Sequence, residues 1–177
     1  MKTEIPAAEQ ILLARARALA RPRPRPPAAG TLLEVLEFRL ASESYAVESR
    51  HVQEVHPLRD LTPLPGTPRF VSGIVNVRGR ILPVLDLKKF FELPEQGLTD
   101  LHRIIRVSGN DLELGLLADV IVGVRSIAVD SLQSSLPTLT GIRADYLKGV
   151  SDERLVVLDV DRILSDPKII VHEEVET

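Results

Sequence analysis

From about residue 31 to residue 166 the chain alternates apolar and polar positions with a period of two, interrupted by frequent turn residues. Leu36, Phe38 and Leu40 alternate with Glu37 and Arg39, the pattern of a half-buried strand. A turn at Ala41–Ser44 follows, and extended structure resumes over Tyr45–Val47. Residues 71–77 (VSGIVNV) and 80–85 (RILPVL) are two β-rich runs joined at Arg78-Gly79, where glycine admits the positive φ of a tight hairpin turn. Asp86 stands as an N-cap before DLKKFFEL, a short helix closed by Pro94. Residues 103–107, 112–118 and 120–127 predict three more strands. Residues 146–150 and 154–158 predict a further pair, with a second short helix after Asp159. The proline-rich TPLPGTP at 62–68 predicts a rigid surface loop, because proline leaves little backbone entropy to lose.

The chain also resembles itself. Ile74–Phe91 lies on Leu147–Leu164 without a gap, and Val84-Leu85-Asp86 meets an identical Val157-Leu158-Asp159. More loosely, Tyr45–Leu58 lies on Leu114–Ile127, with Val52 facing Ile121 and Val55 facing Val124. Two similar modules of about five short strands follow, enough for each to curl into a small barrel and too few for a sandwich of ordinary size. They are expected to span roughly 45–91 and 103–165, with exchange of strands between them, inside one body over 31–166.

The flanks differ from this body. Residues 6–20 are good helix formers, with Leu12, Ala16 and Leu19 on one stripe and Arg15 and Arg17 beside it. Such a helix either docks on a partner or membrane surface, or is marginal and frays or packs on its own body. RPRPRPP at 21–27 excludes helix and sheet and predicts a polyproline II spacer, a form also read by SH3-type modules. Residues 1–30 are thus expected as a helix and Arg-Pro linker, and 167–177 as an acidic tail with Glu173, Glu174 and Glu176.

Composition narrows the function. The 177 residues include no Cys and no Trp, which excludes a disulfide scaffold, a thiol nucleophile and a thiolate metal site. Six aromatic residues, two Tyr and four Phe, are too few for a base-stacking surface, and a net charge of −3 gives no bulk attraction to nucleic acid. A nucleic-acid-binding role would have to use the basic N-terminal arm alone. No window is apolar enough to span a membrane, so a cytoplasmic location is expected. The four His are dispersed, and His51 and His56, beside charged residues, read as solvated. No nucleophile elbow, phosphate-binding glycine loop or HExxH occurs, so no enzyme, metal or cofactor is expected. Asp86 and Asp159 read as helix caps in preference to an acid/base pair. Arg78 and Glu54 stand out as charges set among apolar residues. They are either a pair that meets a partner or two unrelated exposed charges.

Residues 70–87, FVSGIVNVRGRILPVLDL, closely resemble the central signature of the CheW-like family of bacterial chemotaxis coupling proteins: Phe70, Gly73, Asn76, Arg78, Gly79, Pro83, Asp86 and Leu87 all fit. The resemblance covers about residues 31–166. It implies a mostly all-β fold, two intertwined five-stranded SH3-like β-barrels with short helices. It also implies a non-enzymatic adaptor between a chemoreceptor's cytoplasmic hairpin tip and the regulatory domain of a CheA-like histidine kinase. The protein would then be cytoplasmic and recruited to receptor arrays at the inner membrane, without inserting into it. The same adaptor role serves chemosensory-type pathways controlling pili or development. The receptor or kinase would meet Val52, Glu54, Val55, Arg78 and Ile81, with Val122 and Val124 as an apolar wall. Gly73, Asn76, Gly79, Pro83 and Asp86 would hold the signature's backbone. The first 30 residues extend beyond the minimal family domain.

Overall fold

A computed structural model describes residues 31–94, 101–133, 142–167 and 169; the N-terminal helix, the Arg-Pro linker and most of the acidic tail lie outside the described residues. In chain order the elements are β1 (Leu32–Leu40), β2 (Glu43–Glu48), β3 (Val52–Pro57), β4 (Val71–Val77), β5 (Arg80–Leu85) and α1 (Leu87–Phe90). The second half supplies β6 (Arg103–Gly109), β7 (Leu112–Ala118), β8 (Val120–Ala128), α2 (Ile142–Asp145), β9 (Leu147–Val150), β10 (Val156–Leu158) and α3 (Val160–Ser165).

The strands form two five-stranded sheets, ordered β8-β1-β2-β10-β9 and β3-β6-β7-β5-β4. The exchange between the halves is reciprocal. The β1–β2 hairpin leaves the first half to join β8, β9 and β10, while β6–β7 leaves the second half to join β3, β4 and β5. The repeat holds at the level of single pairs. The parallel contact of Val84 with Gly115 corresponds to that of Val157 with Ala46. Each sheet has a bulge at the matching place, where β8 crosses Glu37/Phe38 of β1 and where Val52/Glu54 of β3 crosses β6. Asp86 and Asp159 are both caps, their Oδ1 atoms accepting from the backbone N of Lys88 at 2.9 Å and of Arg162 at 3.1 Å.

Because side chains alternate across a strand, each sheet buries two faces. Val75, Val77, Leu82, Val84, Ile104 and Leu117 fill the hollow of the β3–β7 sheet, and Val35, Ala46, Ile127, Leu155 and Val157 fill that of the other. The opposite faces meet in a larger central core that draws Phe38 and Tyr45 from one sheet, Ile105, Val107 and Leu116 from the other, and Phe90 of α1 with Phe91 just after it. All six aromatic residues of the chain join one run of ring contacts there, from Phe38 through Tyr45, Phe91 and Phe90 to Phe70 and Tyr146, with centroids 4.9–6.2 Å apart. The aromatic residues are thus used at the join between sheets, where large rigid rings cover most area.

One buried charge ties the halves together. Lys88 on α1 is 1% exposed, and its Nζ donates to Asp119 Oδ1 at 2.6 Å. His102 Nε2 lies 2.9 Å from the same oxygen, and Ala41 N donates to Oδ2 at 2.7 Å. Burial pushes the Asp119 carboxyl up, but the hydrogen bonds from Lys88 and Ala41, with the charges of Lys88 and His102, outweigh it and hold the group below its ordinary value.

Candidate functional site

The signature hairpin is built by its turn. Val77 pairs with Arg80, so only Arg78 and Gly79 lie between the strands, at φ of 52° and 83°. Two consecutive positive φ values match the right-handed twist of a two-residue hairpin. Asn76 Oδ1 accepts from Gly79 N at 2.8 Å and secures the turn from below. Pro83 stands opposite Ile74, exposed on β5. This geometry holds Arg78 at the hairpin tip and Ile81 outward beside it.

Glu54 is the charge that Arg78 meets. Arg78 Nη2 lies 3.2 Å from Glu54 Oε2. The two residues belong to opposite edges of the sheet order, so the sheet curls until β3 reaches the β4–β5 tip. Glu54 is also cross-strand from Arg106, whose Nη1 donates to Oε1 at 2.8 Å, and His56 Nε2 lies 2.9 Å from Oε2. Arg106 continues to Glu113 with a bond of 2.7 Å, and Glu113 lies 3.7 Å from Arg80, back on the hairpin. The charges therefore run in a ring from the hairpin through β3, β6 and β7 to the hairpin again. His56 first, then Arg106, with Arg78 adding its charge, pull the Glu54 carboxyl down from 4.5 to about 2. Glu54 and Glu113 in turn raise the Arg106 guanidinium. A cleft beside the pair is walled by His56, Arg59, Val75 and Arg78.

The apolar candidates divide into two kinds. Val52 is half-buried and packs on the central core, as does Ile121 at the matching place on β8. Val55 is 39% exposed, Ile81 63%, Val122 53% and Val124 61%. Val55 stands across from Ile105, and Val124 across from Leu36. Directly paired residues share a face of the sheet, and both partners lie in the central core. Val55 and Val124 are thus the uncovered members of pairs whose inner members seal the join between the sheets. They flank that seam from β3 and from β8. Val122 sits at the bulge of β8. Of the seven binding candidates, Glu54 and Arg78 are in direct contact, while Val122 and Val124 lie on the other sheet.

Three members of the ring, Arg80, Arg106 and Glu113, and His56 beside it were not anticipated. Arg106 lies between Ile105 and Val107 in an apolar run, and only the strand register reveals its partner. The expectation of solvated histidines is corrected: His56 sits against Glu54, and His51 is buried with Nδ1 3.1 Å from Ser108 O, because the 3-10 turn at Ser49–His51 folds under β6. Among the described residues no cluster of His, Asp and Glu is arranged to hold a metal ion, and no helix is long and apolar enough to cross a membrane.

A family model described as a CheW-like domain matches residues 34–168. The chemotaxis protein CheW of Treponema pallidum is 31% identical over 143 residues, covering 77% of this chain and 84% of that protein. Protein FrzA of Myxococcus xanthus is 34% identical over 134 residues, covering 72% and 82%. The crystal structure of the scaffolding protein TtCheW from Thermoanaerobacter tengcongensis superposes with a TM-score of 0.69 at 30% identity, covering 78% of this chain and 96% of that one.

Proposed function

The chain belongs to the CheW-like domain family, whose members are chemotaxis adaptors and scaffolds, and from that premise we propose that it couples the cytoplasmic hairpin tip of a chemoreceptor to the regulatory domain of a CheA-like histidine kinase. In this reading the receptor tip lies along the seam flanked by Val55 and Val124, with Ile81 and Val122 extending the apolar contact. Arg78, held at the hairpin tip by Glu54, offers a cation whose position is fixed before binding. Pre-positioning lowers the entropy lost when a partner docks. The observation that carries the reading is the exposed valine of each half, set at matching positions beside the core-sealing pairs. The protein acts by binding alone, in the cytoplasm at receptor arrays, and the kinase meets another part of the body. Similarity to FrzA, a relative that bears no chemotaxis name, supports service in a related chemosensory pathway.

The test is reconstitution with a soluble receptor signalling fragment and the kinase, read by sedimentation of the ternary complex. Ile81→Asp and Val124→Asp, both at exposed positions, are expected to weaken receptor binding at least tenfold with the unfolding midpoint unchanged. Absence of any complex with the unsubstituted chain would sink the proposal.

A further inference from the structure

The internal repeat places Lys88 on Asp161 and Asp119 on Arg50. Both placements meet in a contact: Lys88 Nζ lies 2.6 Å from Asp119 Oδ1, and Arg50 Nη2 lies 3.4 Å from Asp161 Oδ2. Each half therefore carries an ion pair at the same place, with the charges reversed. In each pair one member stands on a short helix, α1 or α3, and the other stands just before an edge strand of the opposite sheet, β8 or β3. The same register carried upstream brings Ala41 onto Asn110, turn residues with matching φ of 53° and 51°.

The two pairs differ in their surroundings. The Lys88 and Asp119 side chains are 2% and 19% exposed, whereas those of Arg50 and Asp161 are 61% and 45% exposed. Asp119 also accepts from Ala41 N at 2.7 Å and lies 2.9 Å from His102 Nε2, and its own N donates to Arg39 O at 3.0 Å. One residue is thus fixed to α1, to the β1–β2 hairpin and to the entry of β6. Asp161 has only the longer contact with Arg50 and His51 Nε2 at 3.5 Å, and Arg50 is shared with Glu48 at 2.8 Å.

The exposed pair shows how little the crossover itself requires, because a surface pair of that kind adds little stability. Burying a lysine costs desolvation, and apolar residues of similar volume are often as stable in its place. Folding alone therefore does not call for Lys88 in the core. The pair supplies instead a single position, since it holds at one distance where apolar side chains slide. Asp119 leads directly into Val120, Val122 and Val124, the exposed valines of β8.

We infer that Lys88 and Asp119 are positioning residues for docking, which seat the valine wall of β8 at one distance from Val55 on β3. The inference rests on the adaptor reading only for what docks. A wall seated before binding spares the partner the cost of ordering it. A wall that samples several positions lowers the apparent affinity with the fraction of molecules placed correctly.

The chain has no cysteine, so Gln53→Cys on β3 and Ser126→Cys on β8, both exposed, carry a nitroxide pair across the seam. Their distance distribution is expected to be narrow, and to broaden in Lys88→Met/Asp119→Asn, where the asparagine oxygen still accepts from Ala41 N. Asp161→Asn neutralises the matching pair and is expected to leave the distribution narrow. Circular dichroism selects conditions in which each variant is folded, and Lys88→Gln carries the comparison if the double variant does not fold. Unlabelled proteins are then titrated with a soluble receptor hairpin fragment. If about one variant molecule in ten has the wall in place, Lys88→Met/Asp119→Asn weakens binding ~10-fold, while Asp161→Asn leaves it unchanged. An unchanged distribution, equal broadening by Asp161→Asn, or broadening without loss of affinity overturns the inference. No binding by the unsubstituted chain overturns the adaptor reading and leaves the distance result standing.

Discussion

Gly73→Ala is expected to unfasten the support of the signature hairpin at a calculable cost. Gly73 has a φ of 139°, and Ile74 next to it exchanges two backbone hydrogen bonds with Thr62, each 2.9 Å long. A Cβ at residue 73 would stand 2.2 Å from Thr62 O, 2.8 Å from Thr62 C and 2.9 Å from Pro63 Cα. All three are backbone atoms of the proline-rich loop, so no side-chain rotation relieves the clash. The φ itself costs ~1–3 kcal/mol for a residue with a side chain, and two weakened hydrogen bonds cost about 1 kcal/mol each. The expected loss is therefore ~3–5 kcal/mol. Gly79→Ala is the control: its φ of 83° is also left-handed, but nothing lies within 4 Å of an added Cβ. Only the conformational cost of ~1–2 kcal/mol applies there. Urea denaturation followed by circular dichroism reads both. In thermal melts, where each kcal/mol moves the midpoint ~2–4 °C at this size, Gly73→Ala should fall by ~10 °C and Gly79→Ala by ~4 °C. Equal destabilisation by the two substitutions would refute the claim that the loop contact, and not glycine's φ alone, holds β4 in place.

Lys88→Met is expected to cost ~2–4 kcal/mol in chemical denaturation, because it leaves the half-buried Asp119 with only His102 and Ala41 N. Adding Asp119→Asn should recover part of that loss in a double-mutant cycle, and strict additivity would contradict the pairing. The Glu54 carboxyl is held at about 2 in the folded chain against 4.5 free, so its contribution is complete above pH 4.5 and is lost as pH falls through 2. A carboxyl carbon-13 titration should show that midpoint, and Arg106→Ala should raise it. Arg78→Ala is expected to leave stability nearly unchanged, since Arg78 is exposed, while Arg106→Ala lowers it by leaving Glu54 and Glu113 without their shared cation; the reverse order in urea midpoints would overturn the ring.

Local chemistry made several of these features legible before any coordinates. The cap residues Asp86 and Asp159, the Arg78-Gly79 turn and the repeat each depend on neighbours a few residues away. The family signature added the docking reading. The partnering of strands was less legible, and the reason is the repeat itself. Both halves carry the same alternation, so pairing β1–β2 within its own half or with the other half buries the same positions. Lys88 and Lys89 look equivalent in DLKKFFEL; only the approach of Asp119 from the second half makes one of them a core residue. Arg106 was hidden for a related reason. Its partner Glu54 lies beyond a bulge that shifts the register by one residue, and alternation read along one strand carries no information about register.

Under the proposed adaptor reading, the repeat bears on how an asymmetric partner would be oriented. The two edge strands offer matching apolar positions, Val52 and Val55 on β3 and Ile121 and Val124 on β8. A seam with valines alone would accept an elongated partner in either of two directions at similar energy. The charges break that equivalence. Where the first half has Glu54 and Arg78, the second has Gly123 and Ser151 at the corresponding places in the repeat. The ring of Arg78, Glu54, Arg106, Glu113 and Arg80 therefore stands at one end only. The other end carries Arg125 between Glu37 and Glu153, in which glutamates occupy the places of Arg106 and Arg80. Exposed ion pairs of this kind add little binding energy, but a like charge set against a partner costs more than a favourable one gains. In the proposed docking, the apolar seam supplies attraction, and the departure from internal symmetry supplies direction.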